Sequence, residues 1–101
     1  METDSPLRAA LGQALRREWK RMARERFGNR MRTPFIYVSD TPKLGAWKPI
    51  EATLEISLPF ILENTWGTVV AVLLHEMAHQ WVHEVLRVDE SAHGPVFQRV
   101  C

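Results

Sequence analysis

The sequence predicts an α+β fold in one domain, residues 1–101, with an amino-terminal helix, a sheet of about three strands, a long helix and a short closing helix. Three observations support this prediction. A chain of 101 residues has the usual size of a single domain. Apolar residues recur at three- and four-residue steps near the start and again after residue 65, which is the period of a helix. Between these stretches apolar and polar residues alternate, which is the period of a strand.

The first helix is expected to follow Asp4-Ser5-Pro6, because Asp or Ser caps the free amides of a helix start and Pro is tolerated in the first turn. Its apolar stripe runs at helical spacing from Leu7 to Phe27, and Gly28-Asn29 supplies the stop. The basic residues lie largely off this stripe: Arg16, Arg17, Lys20, Arg21 and Arg24.

The middle of the chain is expected to form the sheet. Thr33-Pro34 ends any helix, and the β-forming residues Phe35 to Val38 predict the first strand. A short strand is expected around Trp47 in a segment rich in turn residues. In residues 52–59, Leu54, Ile56 and Leu58 alternate with Thr53, Glu55 and Ser57, which predicts a half-buried strand. Residues 59–64 are expected to form one helical turn.

The second long helix is predicted from the cap residue Thr65 to Leu86. Its first half is apolar nearly all round, which predicts burial. His75, Glu76 and His79 interrupt this apolar surface, and because an unpaired buried polar group is costly they need partners. After a loop, residues 95–100 are expected to form the short closing helix.

Composition narrows the class of protein. With 46% apolar and 25% charged residues, the chain has the make-up of a soluble globular protein. Cys101 is the only cysteine, so no internal disulfide forms, which suits a reducing cytosol and a cytoplasmic location. The first ten residues include two acids and no apolar run, unlike a secretory signal. The run Val69–Leu74 is too short to cross a bilayer, so no membrane contact is expected.

Charge is distributed unevenly along the chain. Residues 1–32 hold nine Lys or Arg and four acids, a balance of +5, whereas residues 33–101 hold four and eight, a balance of −4. The basic residues within 16–32 therefore indicate either DNA or another polyanion as a partner, or a solvated helix face. Trp19 belongs to the apolar stripe, and no aromatic residue interleaves the basic face, so base-specific recognition is not indicated.

The motif His75-Glu76-x-x-His79 carries the chemistry. On a helix, positions four apart share a face, so the two imidazoles can bind one ion, and neutral imidazole is a standard ligand of Zn²⁺. Glu76 is then placed to accept a proton from a zinc-activated water, as in the HExxH signature of metallopeptidases. The alternative is a pair of hydrogen-bonded histidines in a helix core.

A catalytic zinc site needs a third protein ligand. His83 is one choice, but along a helix it lies about 12 Å from His75, too far to share an ion. Glu84 has the same difficulty, while Asp89 and Glu90 remain oxygen donors to be considered. His93 follows a loop long enough to turn the chain back, and Gly94 beside it permits close backbone approach. We predict His93 as the third ligand.

The segment LLHEMAHQW, followed fourteen residues after His79 by His93-Gly94-x-x-Phe97, resembles the SprT-like zinc metallopeptidases, the group that includes the Spartan DNA-protein crosslink proteases. The upstream order of a helix, the strands FIYVSD and ATLEISLP, and a GAW segment between them is similar as well. The resemblance implies a minimal zincin-like domain with zinc on His75, His79 and His93 and with Glu76 as general base. The small minigluzincins are a second comparison, but they use a glutamate as third ligand, and no acid follows His93.

Two functions are consistent with these features. The first is a zinc-dependent endopeptidase that acts on protein or peptide substrates, including proteins associated with DNA. The second is a nucleic-acid-binding module whose zinc is structural or catalytically silent. Glu76 discriminates between them, because a structural zinc site does not need a general base. Tyr37, the only tyrosine, is expected on a strand and is not assigned as an oxyanion donor.

Overall fold

A computed structural model describes residues 6–87 and 94–100 of the chain. In this part of the chain four α-helices and three strands form an α+β fold, as the sequence predicts. In chain order the elements are α1 (Pro6–Arg26), β1 (Phe35–Ser39), β2 (Gly45–Lys48), β3 (Thr53–Ser57), α2 (Leu58–Glu63), α3 (Trp66–Trp81) and α4 (Pro95–Val100). A π-helical turn, Val82–Leu86, continues α3 directly.

The sheet has the strand order β1-β3-β2, so β3 is central and the two other strands form the edges. β1 pairs with β3 in parallel and β2 pairs with β3 in antiparallel orientation. α1 contacts β1, α3 contacts β2, and the two helices also contact each other. The apolar face of the sheet, with Ile36, Leu54 and Ile56, therefore forms one core with both helices.

α1 has the predicted apolar stripe and the predicted end. Leu15, Trp19 and Met22 are buried, whereas Leu7 is 53% exposed, so the stripe enters the core only after the first turns. At the carboxyl end, the Asn29 N–H donates to the Ala23 carbonyl at 2.9 Å. Gly28 and Asn29 both have left-handed backbone (φ 62° and 56°), as expected for a helix stop of this kind. The predicted cap at Asp4-Ser5 lies outside the described residues.

α3 begins at the predicted cap. The Thr65 hydroxyl accepts a hydrogen bond from the Thr68 N–H at 3.2 Å. Val69, Leu73 and Met77 are fully buried, but residues 66–68 and Ala71 are exposed. The prediction of burial nearly all round the first half is therefore wrong, because the contacts of α3 with β2 and α1 leave these residues uncovered. Across the described residues, no helix is both long and apolar enough to cross a membrane.

β3 also differs from its prediction. Its alternation indicated a half-buried strand, yet Thr53, Glu55 and Ser57 are buried together with Leu54 and Ile56. The polar face is covered by side chains of the two edge strands, since the Tyr37 hydroxyl donates to Glu55 at 2.5 Å and the Lys48 ammonium lies 3.1 Å away. Burial works against ionisation of Glu55, but these two partners outweigh it and hold the pKa of the carboxyl below its ordinary value.

β2 lies unusually close to α3 at Gly45. A Cβ atom at this position would lie 3.1 Å from the Glu55 carbonyl oxygen and from Ile56 Cδ1, and 3.2 Å from Val72 Cγ1. Only a residue without a side chain leaves the three neighbours in place. The approach of β2 to α3 therefore depends on glycine at position 45.

We expect Glu55→Gln to lower the free energy of unfolding by about 1 to 2 kcal/mol near neutral pH, because a neutral amide loses the charge-assisted bonds to Tyr37 and Lys48. The pKa of Glu55 is lowered in the folded state, so its contribution is present above the ordinary carboxyl pKa and is lost as the pH falls through the folded value. Urea unfolding at neutral pH and at about pH 3 measures both effects.

The exposed Glu51→Gln is the matched control and should change little at either pH. A deficit in Glu55→Gln that is equally large under acidic conditions would contradict a role for the ionised carboxylate.

We expect Gly45→Ala and Gly12→Ala to change stability in opposite directions. Gly45→Ala should destabilise the protein by about 1 to 3 kcal/mol, because its methyl group has no room between β2, β3 and α3. Gly12→Ala should stabilise it by up to about 1 kcal/mol, because position 12 is inside α1 and has no atom within 4 Å of the new methyl group. Urea unfolding of both variants tests the pair. Equal effects of the two substitutions would show that β2 is free to move away from α3.

Candidate active site

His75 and His79 lie on one side of α3, one turn apart. Their ring centres are 5.1 Å apart and the ring planes meet at 77°. Both residues are half-buried. Two imidazoles bound to one tetrahedral Zn²⁺ through bonds of about 2.0 to 2.1 Å place their ring centres about 5 Å apart. The observed spacing therefore suits a shared zinc ion.

The third ligand is not described by the structure. His93, Asp89 and Glu90 all lie outside the described residues, so the prediction for His93 remains a prediction. Within residues 6–87 and 94–100, no three or more His, Cys, Asp or Glu residues are grouped so that they could hold a metal ion. The two histidines of α3 thus supply two-thirds of the predicted ligand set.

His83 and Glu84 occupy the π-helical turn and face other partners. The His83 ring lies beside the Trp47 ring, with 6.4 Å between the centres, and its side chain is exposed. A Glu84 carboxylate oxygen accepts hydrogen bonds from the Arg32 backbone N–H at 3.3 Å and from Gln80 Nε2 at 3.2 Å. The sequence excludes both residues from the ligand set because they lie too far from His75 along the helix, and these positions agree with that exclusion.

The outer edge of β2 runs beside α3. The Leu44 carbonyl accepts a hydrogen bond from the Ser57 N–H at 3.0 Å, so the backbone of Leu44 points towards β3. Because backbone groups alternate along a strand, those of Gly45 and Trp47 point away from β3, towards the open edge. The Trp47 N–H, which points in this direction, faces the Glu76 carboxylate and favours its ionised form.

Glu76 is 8% exposed and faces β2 rather than the imidazoles' side of the helix. Burial raises the pKa of its carboxyl above the ordinary value, and the Trp47 N–H and the Lys43 charge reduce that rise without cancelling it. The sequence indicated that Glu76 needs a partner, but the partner is a backbone group. A backbone donor leaves no pattern in a sequence, so only the position of β2 reveals it.

Phe97 of α4 contacts both histidines. Its ring stacks on that of His79, with 4.0 Å between centres and 13° between planes, and meets His75 edge-on at 5.1 Å and 70°. In the sequence Phe97 is part of the motif His93-Gly94-x-x-Phe97, which by itself assigns it no place in the site. The helix that carries it was predicted, and it brings this ring against the candidate metal ligands.

Tyr37 lies on the other face of the sheet. Its hydroxyl is bound to Glu55, and that bond, together with burial, raises the pKa of the phenol above its ordinary value. A tyrosine engaged there does not supply an oxyanion donor at α3, in agreement with the sequence analysis.

A comparison with protein families identifies the family of this chain. The profile of the SprT-like family matches residues 7–101, which is nearly the whole chain. Searches of curated proteins and of solved structures found no match. The SprT-like family is associated with zincin-like metallopeptidase domains and in general with zinc. The observed order of elements and the paired histidines of α3 agree with this match, and the chain belongs to the SprT-like family.

Proposed function

We propose that this chain is a zinc-dependent endopeptidase. In this proposal His75, His79 and His93 hold the zinc ion and Glu76 is the general base. The observation that carries the proposal is the pair of imidazoles at 5.1 Å on α3, next to a buried carboxylate, in a chain of the SprT-like family. A pair of core histidines would not require the carboxylate.

Each residue has a distinct task in peptide hydrolysis. A zinc ion held by these histidines would supply Lewis acidity, which would lower the pKa of a water molecule to about 7 and polarise a carbonyl group. Glu76 takes a proton from the attacking water and returns it to the nitrogen of the leaving amine. The Trp47 N–H faces this carboxylate and favours its ionised form, which is the form that accepts the proton.

The outer edge of β2 is the proposed binding surface for the substrate backbone. Extended peptides often bind by adding a strand to a sheet edge. At β1 this is disfavoured, because Arg8 and Arg16 donate to the outward carbonyls of Val38 and Ile36, at 2.7 and 3.3 Å. The edge of β2 lies next to Glu76, so a peptide paired there would pass the general base.

For the peptidase we expect about one zinc ion per chain and cleavage of an unfolded protein substrate. Glu76→Gln should reduce cleavage by at least about 1,000-fold while zinc stays bound, because the amide cannot accept the proton. Atomic absorption gives the metal content, and gel or fluorescence assays give the cleavage rate. Full activity in Glu76→Gln would refute the mechanism, and a wild-type protein without zinc after zinc loading would refute the site.

A matched pair of histidine variants tests the third ligand. His93→Ala should weaken zinc binding strongly, whereas His83→Ala should leave it nearly unchanged because His83 faces Trp47. The reverse order of affinities would show that His93 is the wrong ligand.

Nucleic-acid binding is a second candidate function, and one observation favours it. A groove of about 490 Å³ lies between α1 and β1, and its wall includes Gln13, Arg16, Phe35 and Tyr37. Phe35 is 63% exposed and its ring stacks on Tyr37 at 5.7 Å. The fold thus places aromatic rings of β1 beside the basic face of α1, an arrangement that the sequence of α1 alone does not indicate.

The basic residues 16–32 differ in how they are engaged. Arg21 is paired with Glu18 and Glu25, and the Arg30 guanidinium lies over the Trp81 ring at 5.4 Å. Arg17 and Lys20 are exposed and line a shallow depression next to the groove, together with Gln13 and Arg16. We propose that Arg17 and Lys20 contact phosphates of a single strand while Phe35 stacks on a base. If the chain is a peptidase, this surface would direct it to DNA-associated proteins. If it has no peptidase activity, it would be a nucleic-acid-binding module.

For this second candidate we expect Arg17→Glu with Lys20→Glu to lower the affinity for a single-stranded oligonucleotide by at least tenfold and to reduce its salt dependence. Phe35→Ala should lower the affinity with little change in salt dependence, because stacking releases no counterions. Fluorescence anisotropy at several salt concentrations measures both. Arg87→Glu with Arg99→Glu, which changes the net charge by the same amount away from this surface, is the matched charge control. Equal weakening by the control would show that only net charge matters, and a wild-type protein that does not bind would remove the candidate.

A further inference from the structure

Phe97 lies at the contact between α4 and the two histidines. The residue is 4% exposed, so its ring is held in one environment. One face of the ring covers the His79 imidazole in a nearly parallel stack, with 4.0 Å between centres. The same ring meets the His75 imidazole at 70° and 5.1 Å. One side chain therefore contacts both imidazoles.

α4 is attached to the molecule through a small cluster of its own. Phe97 packs with Ala78 and Val82 of the active-site helix and its π-helical turn, with Val100 at the margin of the cluster. Val100 also packs against the main core between the sheet, α1 and α3, so the two clusters meet at this residue. The first turn of α4 is closed by a hydrogen bond from the Gln98 N–H to the Gly94 carbonyl at 3.0 Å. Within the described part of α4, Phe97 is thus the one aromatic residue that packs against α3.

The orientation of an imidazole decides how well it binds a metal ion. The helix fixes the Cβ atoms of His75 and His79, but it leaves rotation about the two side-chain bonds. The lone pair of the ligating nitrogen lies in the ring plane, so a partner that fixes the plane also aims the lone pair. Phenylalanine offers no donor atom of its own, so it fixes the plane without competing for the metal. In most metal sites a hydrogen bond to the other ring nitrogen has this orienting role.

We propose that Phe97 is a positioning residue that orients the imidazoles of His75 and His79 towards a shared metal ion. This inference rests on the proposed zinc-binding function. It gives α4 a role in metal binding in addition to its packing against α3. The flat face of the ring, rather than its apolar volume, is the feature on which metal affinity depends.

The test compares Phe97→Leu with Val100→Ala. Leucine keeps an apolar side chain in the cluster but has no flat face, whereas Val100→Ala weakens the same cluster without altering the stacked ring. We expect Phe97→Leu to raise the dissociation constant for zinc about tenfold, as changes to orienting partners usually do. Val100→Ala should stay within about twofold of wild type. Competition with a chromophoric chelator measures the constants, and the visible spectrum of the cobalt(II) form reports a distorted ligand geometry.

A second readout needs no metal. In the metal-free protein the Phe97 ring current should shift the ring-proton resonances of His79 upfield, and Phe97→Leu should remove that shift. Thermal melts establish that each variant is folded, and Phe97→Met replaces the leucine variant if the latter unfolds. Zinc affinity in Phe97→Leu within twofold of wild type would overturn the inference, as would an equal loss in Val100→Ala. Failure of the wild type itself to bind zinc would instead refute the proposed function, and the inference with it.

Discussion

The cost of burying polar side chains on α3 is the constraint on which the other elements depend. Gln80 is fully buried, and an uncompensated amide in such a place costs a few kcal/mol, about the size of a large mutational effect. Its oxygen accepts a hydrogen bond from Trp19 Nε1 at 3.2 Å, and its nitrogen donates to the Arg32 carbonyl at 2.9 Å. One side chain thereby fixes α1, the segment that follows α1, and α3 relative to one another.

Glu76 imposes the same requirement one turn earlier. The Trp47 N–H of β2 faces its carboxylate, so β2 meets α3 at Glu76, while Gln80 binds Trp19 of α1 one turn later. Residues 76 and 80 are four apart and share a face of the helix. His75 and His79 precede them by one position each, which rotates them by about 100° onto the neighbouring face. The two interleaved pairs explain how polar groups can anchor α3 while the helix still presents two imidazoles to Phe97 of α4.

The sequence predicts most of this arrangement, because its signals are local. Gly28-Asn29 and Thr65 mark helix ends through their own backbone and side-chain chemistry, and HExxH places its histidines through helical spacing. The prediction fails where the partner is distant in the chain. The alternation of apolar and polar residues in β3 predicts that Glu55 faces solvent, but side chains of β1 and β2 bury it. The contact of Phe97 with His79 likewise depends on how α4 returns to α3.

The meaning of the basic amino-terminal third also changes once the fold is known. An open strand edge presents unpaired carbonyls that invite another chain, and Arg8 and Arg16 satisfy two of these carbonyls on β1. Arg21 and Arg30 are engaged with residues of the protein itself. Much of this positive charge is therefore engaged within the protein, where it closes a sheet edge and stabilises α1, and is not reserved for binding a polyanion. Under the proposed peptidase function, the closed β1 edge leaves the edge of β2, where Glu76 lies, as the strand edge for an extended peptide.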